Sequence, residues 1–358
     1  MPFLIKALSV CRPRYLILGW HIIAFLLLSA ATASSQDTQP DVIRVYSNLV
    51  SVPVIVSDRD GRYIPGLRKE NFTLLDNNLE QKLSYFDAAE EPLNIALLLD
   101  TSRSTQGVFD DIRKAAKDFI RDLRSQDRAM VVSFDYEVHK LCSLTSDRTV
   151  LEQAIKNARV GEYFGTLLND AVEETVERDL KPINGRKAII LLTDGEDAGS
   201  RITDDELLAY ASESDAMIYS IYYAPSIPRF FRRDRPFPRR EGIFGGRRRI
   251  LNQMPQGPPG RGQRRQRQGE RRESAQEFLA RLSEVSAGRF YLSQKTDLKK
   301  TFAMIAEELR NQYRLGFYPD ELARDGSLHR LKVKIDKPNL AVRARTQYRA
   351  VKSQNREQ

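Results

Sequence analysis

The chain has 358 residues, of which 41% are hydrophobic, and a formal charge of +9. That length suggests about two domains, and the apolar content excludes a chain without packed cores. The charge is local: between Arg229 and Glu273 there are fifteen arginines against four acids, a net of +11, so the rest sums to about −2 and no basic surface spreads over the domains.

Arg12 and Arg14 precede an apolar run from Tyr15 to Ala31, and Ala31-Thr32-Ala33 follows as a small-x-small cleavage site. This order predicts a secretory signal peptide over 1–33, and hence export to the periplasm or the exterior with no span left after cleavage. The alternative is an uncleaved membrane anchor, for which the run falls just short of the roughly 20 residues a span needs. Cys11 lies in that segment, so a cleaved chain keeps only Cys142 and no intramolecular disulfide.

Residues 41–88 read as a small β segment. Val42–Val56 is rich in β-branched residues, Asp58-Arg59-Asp60-Gly61 reads as a turn rather than a calcium loop, and Phe72–Leu75 and Leu83–Phe86 are further strands around Asp76-Asn77-Asn78. From residue 90 to 312 the pattern changes to continuous apolar strands alternating with amphipathic helices. Strands are expected at 95–99, 129–134, 188–192, 217–223 and 289–292, with helices at 109–123, 149–158, 166–176, 204–214, 274–285 and 298–310. Such alternation predicts an α/β domain with a doubly wound, mostly parallel sheet. Strand-like runs return at 313–318, 329–336 and 341–348, in a C-terminal β segment over 313–350. Because the termini of a doubly wound domain usually lie close together, segments 41–88 and 313–350 are expected to pair into one small β-sandwich.

Residues 225–272 interrupt the α/β domain with Pro, Gly, Arg and Gln, a composition that predicts a disordered insertion. Its clustered arginines, among them Arg232, Arg233, Arg247, Arg248, Arg249, Arg264 and Arg265, are interleaved with phenylalanines and could bind an anionic polymer. A solvated linker is the simpler reading.

Two strand ends carry chemistry. The first apolar strand runs into Asp100-Thr101-Ser102-Arg103-Ser104, and a later one into Thr193-Asp194-Gly195-Glu196-Asp197. Ligands of open α/β sheets bind outside the carboxyl ends of strands, so both acids reach one edge. Phe164-Gly165-Thr166, read as the opening of a helix, brings a third hydroxyl. Two carboxylates and three hydroxyls, with no thiol or imidazole, point to a hard ion: Mg²⁺, with Mn²⁺ or Ca²⁺ as alternatives. Two carboxylates neutralise a divalent ion without saturating it, which leaves room for an external Asp or Glu. Arg103 beside the site could repel the metal or recruit an acidic partner.

Asp-x-Ser-x-Ser, a later Gly-Thr, and Thr-Asp-Gly-x-Asp resemble the metal-ion-dependent adhesion site of von Willebrand factor A and integrin I domains. The resemblance implies direct ligation by Ser102 and Ser104, mainly water-mediated roles for Asp100 and Asp194, and a conformation-dependent ligand in Thr166. Gly165, Gly195 and Asp197 would support them from behind. It implies a metal-dependent protein-binding module, an adhesion or scaffold element, rather than an enzyme. The layout from apolar N-terminus to the ending Gln312–Pro319 also resembles the A-domain-related proteins abundant in Acidobacteria. His139 and His329 are not placed near the cluster by this reading, and no Gly-x-Ser-x-Gly, phosphate loop or dinucleotide fingerprint occurs. A metal-dependent hydrolase would usually gather more acids.

Overall fold

A computed structural model of the chain describes residues 49–223, 274–293, 297–319 and 325–350. The expected signal peptide and the Arg-rich insertion, including all seven arginines named above, lie outside the described residues. No helix among the described residues is long and apolar enough to cross a membrane.

The order of elements opens with strands β1 (Val50–Ser57), β2 (Phe72–Asp76), β3 (Leu79–Gln81) and β4 (Tyr85–Asp87). The α/β part follows: β5 (Leu93–Asp100), α1 (Phe109–Asp122), β6 (Arg128–Phe134), β7 (Val138–Thr145), α2 (Arg148–Asn157), α3 (Leu168–Glu174), β8 (Arg186–Thr193), α4 (Asp204–Glu213) and β9 (Ala216–Tyr223). It closes with α5 (274–285), β10 (Phe290–Ser293) and α6 (Leu298–Arg310). The last strands are β11 (Tyr313–Phe317), β12 (Leu328–Ile335), β13 (Ala341–Ala344) and β14 (Gln347–Arg349).

The central sheet has the order β10-β9-β8-β5-β6-β7. Every neighbouring pair is parallel except β6 with β7, which closes one edge antiparallel. Strands β5, β8 and β9 are buried over their whole length, which explains their unbroken apolar sequence: each packs helices on both faces. On one face Leu97, Ile190 and Tyr219 meet α1, α2 and α6; on the other Leu98, Ile189 and Ile218 meet α3, α4 and α5. The chain winds outward in both directions from β5. The β5–β8 boundary is therefore the switch point, where a crevice opens at the carboxyl ends.

The flanking strands form two antiparallel sheets, β13-β1-β11-β4 and β14-β12-β2-β3. Each mixes strands from before and after the α/β domain, as the expected sandwich requires. Val52, Val54, Val56, Leu74, Leu315 and Phe317 fill the space between them. Ile55, on the opposite face of β1, packs instead into the α/β core, so β1 is covered on both sides.

Four local expectations need correction. The run 341–348 is two strands, because β13 pairs with β1 in one sheet and β14 with β12 in the other. Buried Arg345 stands at the corner between them, donating to the Glu213 carbonyl at 3.0 Å. The 166–176 helix starts only at Leu168, because the backbone of Thr166 pairs in both directions with Ala198. The strand expected at 83–86 sits later, at Tyr85–Asp87. The turn read at 76–78 is Asn77-Asn78 alone, both at positive φ (48° and 69°), closing a β2–β3 hairpin whose buried first strand includes Asp76.

Sandwich and α/β domain share a buried carboxylate. Glu308 on α6 is fully buried and accepts hydrogen bonds from Tyr219 of β9 (2.8 Å), Tyr63 of the loop after β1 (2.9 Å) and Arg343 of β13. Arg289 pairs with it at 3.3 Å. Three phenols around this charge, Tyr63, Tyr219 and Tyr291, are all pushed above the ordinary tyrosine range, first by burial and then by Glu308.

Candidate metal centre

Strand β5 delivers Asp100 at its carboxyl end with no exposed surface, and β8 delivers Asp194 beside it, 3% exposed. The turn after β5 is held by Asp100 itself: its Oδ1 accepts the Ser102 amide at 2.9 Å. That bond folds the chain so that the Ser102 and Ser104 hydroxyls touch at 2.9 Å. Below the turn, Thr105 Oγ1 donates to the Ser102 carbonyl at 2.8 Å, starting the short 3-10 segment Arg103–Thr105. The Asp100–Ser102–Ser104 spacing is thus one compact turn, with two hydroxyls clustered above a buried carboxylate.

Thr193, the last residue of β8, ties the two strand ends together. Its Oγ1 donates to Asp100 Oδ2 at 2.8 Å and accepts the Gly195 amide at 2.9 Å. Asp194 Oδ1 accepts the Glu196 amide at 3.3 Å. Burial, then repulsion from Asp194, pushes the Asp100 carboxyl up to about 7. Two carboxylates so placed attract a cation, because an ion between them relieves both the desolvation and the repulsion.

The third loop arrives through backbone bonds. Thr166, 7% exposed, donates its amide to Ala198 at 3.2 Å and accepts from the Ala198 amide at 2.8 Å, which sets it beside the segment following Asp194. Gly165 (φ +143°) sits where an added Cβ would lie 3.1 Å from Tyr136 Cβ. Gly195 (φ +76°) is more constrained still, since a Cβ would lie 2.9 Å from Leu279 and 3.1 Å from Ala275 of α5. Asp197 accepts from the Asn169 amide at the start of α3 and from Ser200, so its carboxylate organises the loop.

Two residues escaped the sequence reading. Thr193 lay inside the quoted Thr-Asp-Gly without a role. Asp135, immediately after β6, puts a third acid on the same edge of the sheet. It is buried, accepts from Thr101 Oγ1 at 3.1 Å, and its carbonyl accepts the Leu167 amide at 2.7 Å, joining the first and third loops. An acid at a third strand end was the available signal. His139 also needs correcting: its Nε2 is 3.9 Å from Asp135 Oδ1, so it stands at the margin of the cluster rather than remote from it. His329 is buried in the sandwich against Asp76, at 2.9 Å.

The rim is aromatic. Phe164 is 86% exposed with the Arg103 guanidinium stacked over it at 4.6 Å, and Tyr163 meets Tyr136 edge-on at 4.8 Å. Among the described residues no group of three or more His, Cys, Asp or Glu side chains gathers to hold a metal. The candidate centre is instead two carboxylates with clustered hydroxyls, a donor set that fits a hard divalent ion and leaves it electrophilic.

Residues 94–226 match the family model of the von Willebrand factor type A domain, so this part of the chain is a domain of that family. Among solved structures, proximal thread matrix protein 1 from the mussel byssus matches with TM-score 0.44 and 13% identity, covering 72% of this chain and 50% of its own. The chain thus spans about half the length of that protein. An aerotolerance-related membrane protein from Bacteroides fragilis matches with TM-score 0.41 and 14% identity, over 61% of this chain and 98% of its own. The von Willebrand factor domain of the type V pili tip protein Mfa5 from Porphyromonas gingivalis matches with TM-score 0.40 and 13% identity, over 60% and 94%. No curated protein matches the sequence.

Proposed function

We propose that the protein is an exported, metal-dependent protein-binding module, an adhesion or scaffold element and not an enzyme. A divalent ion, Mg²⁺ first and Mn²⁺ or Ca²⁺ as alternatives, is held by Ser102 and Ser104, by Thr166, and by Asp100 and Asp194 largely through water. A partner's Asp or Glu carboxylate completes the shell. The observation that carries this reading is the contact between the Ser102 and Ser104 hydroxyls directly above buried Asp100, with Asp194 alongside. Ser102, buried, and Ser104, exposed, bring neutral oxygens to the Asp100 and Asp194 carboxylates, a set that would leave the ion short of anionic ligands, which an incoming carboxylate supplies. Export rests on the basic, apolar and small-residue order of the first 33 residues.

The test is thermal unfolding of the protein with Mg²⁺, with Mn²⁺ and with chelator, beside Asp100→Ala. A ligand at a hundred times its dissociation constant stabilises the folded state by about 2.7 kcal/mol, which raises the melting temperature by several degrees in a domain of this size. A rise lost in Asp100→Ala supports the reading. No rise in wild type overturns it.

A further inference from the structure

The last residue of β9 is Tyr223, 2% exposed, whose hydroxyl is buried without a hydrogen-bond partner. Buried phenols usually find a partner, and an orphan at a strand's carboxyl end asks what it faces. Strand β9 runs parallel to β8 with Tyr222 level with Thr193, so Tyr223 is level with Asp194. Alternation then sends the two tyrosines to opposite faces. Tyr222 joins the core under α3, α4 and α5, and Tyr223 the core on the other face, which also holds Leu99 and Leu192, the residues that immediately precede Asp100 and Thr193. The phenol therefore lies at the same edge of the sheet as the two strand ends that carry the candidate metal centre, on the strand next to β8. Apart from burial, the influences on its proton are Asp100, Asp194 and the neighbouring Tyr222, and all of them hold it on, well above the usual tyrosine range. The group is a neutral donor in a field of two acceptors, yet it bonds neither. A phenylalanine would fill the same apolar space without this cost.

We propose that Tyr223 is an additional member of the metal centre, donating its hydroxyl hydrogen bond to a water held between the divalent ion and the Asp100–Asp194 pair. The inference rests on the metal-binding reading above. Of the serines only Ser104 is exposed, whereas Tyr223 reaches this edge of the sheet from the apolar core. It positions and polarises the bridging water instead of touching the ion. Groups that orient inner ligands in this way typically account for 10–100-fold in metal affinity.

The experiment uses the full chain, with Tyr223→Phe and the opposite-face control Tyr222→Phe. Unfolding temperatures are read in chelator, and Mg²⁺ and Mn²⁺ affinities by calorimetric titration. The expected result has two parts. Without metal, Tyr223→Phe is as stable as wild type or more so, because it removes a hydroxyl that has no partner. Its metal affinity falls about tenfold or more, while Tyr222→Phe keeps wild-type affinity. A Tyr223→Phe protein that binds metal like wild type overturns the proposal and leaves the metal site standing. One destabilised or unfolded in chelator overturns it too, by showing that the hydroxyl is bonded without the ion. Absence of metal binding in wild type overturns both readings at once.

Discussion

Asp100 is held in the metal-free protein in a state that costs stability at neutral pH. Its carboxyl is raised to about 7 by burial and by Asp194, whereas in the unfolded chain it titrates near 4. Between those values the folded state keeps a proton that the unfolded state has lost. Stability from this group is therefore full below about 4, falls as pH rises toward about 7, and is constant above. Asp100→Asn should remove that slope: in chelator, the stability difference between variant and wild type should grow in the variant's favour from pH 4.5 to 7.5 and then level off. Equilibrium urea unfolding at several pH values measures it, and a pH-independent difference would refute the assignment. The same substitution should abolish the metal response, since the amide brings no charge. At Gly195 the backbone sets the demand. Ala there meets both a positive φ of 76° and a contact of 2.9 Å with Leu279, so Gly195→Ala should cost more than about 1 kcal/mol, read as a drop in the urea midpoint.

At the scale of elements, most of the α/β domain was legible because its signals are local. Unbroken apolar runs such as Ile95–Leu99 and Ala188–Leu192 mark strands covered on both faces, and the acids and hydroxyls that follow them mark the binding edge. What was not legible depends on pairing across the chain. Nothing in Ala341–Tyr348 announces that its halves join different sheets, since β13 is claimed by β1 and β14 by β12. Thr166 has a helix-like sequence after it, but Ala198, 32 residues on, takes its backbone. Glu308 is the sharpest case. It falls in an ordinary amphipathic helix with Glu307 and Arg310, and its burial appears only when Tyr63 and Arg343 arrive from the sandwich. Removing one side of a buried ion pair costs about 3–5 kcal/mol because the partner charge stays behind. Glu308→Ala should therefore destabilise the protein by that order, and the double variant Glu308→Ala with Arg343→Met should recover a good part of it. Strict additivity of the two substitutions in urea unfolding would show that the pair is not coupled.

For the molecule as a whole, the sandwich makes the two ends of the α/β domain interdependent. In the sheet order β13-β1-β11-β4, strand β11 lies between the two strands contributed by the N-terminal segment, and in the other sheet β12 lies between β14 and β2. Neither the N-terminal nor the C-terminal segment can form a sheet of this kind alone, so loss of 313–350 strips the central partner from both sheets. The consequences reach past the sandwich. Strand β1 supplies Ile55 to the α/β core, and the Glu308 carboxylate would lose Arg343 while keeping Tyr63 only if β1 stayed docked. A protein ending at Gln312 should therefore show hydrogen exchange at the unfolding limit throughout β1, β2 and β4. It should also show faster exchange in α6, whose buried charge is left half-paired, while β5 and β8 stay protected because both their neighbours are internal to the α/β sheet. The isolated segment 90–312 should likewise be less stable than 49–350 in urea, even though it holds every residue of the candidate metal centre. If 90–312 matched the longer protein in stability and in α6 protection, the sandwich would be an independent appendage and Glu308 would couple nothing. The expected gradient, with α6 loosened and the β5–β8 edge intact, would instead mark α6 as an element through which the sandwich and the binding domain stabilise each other.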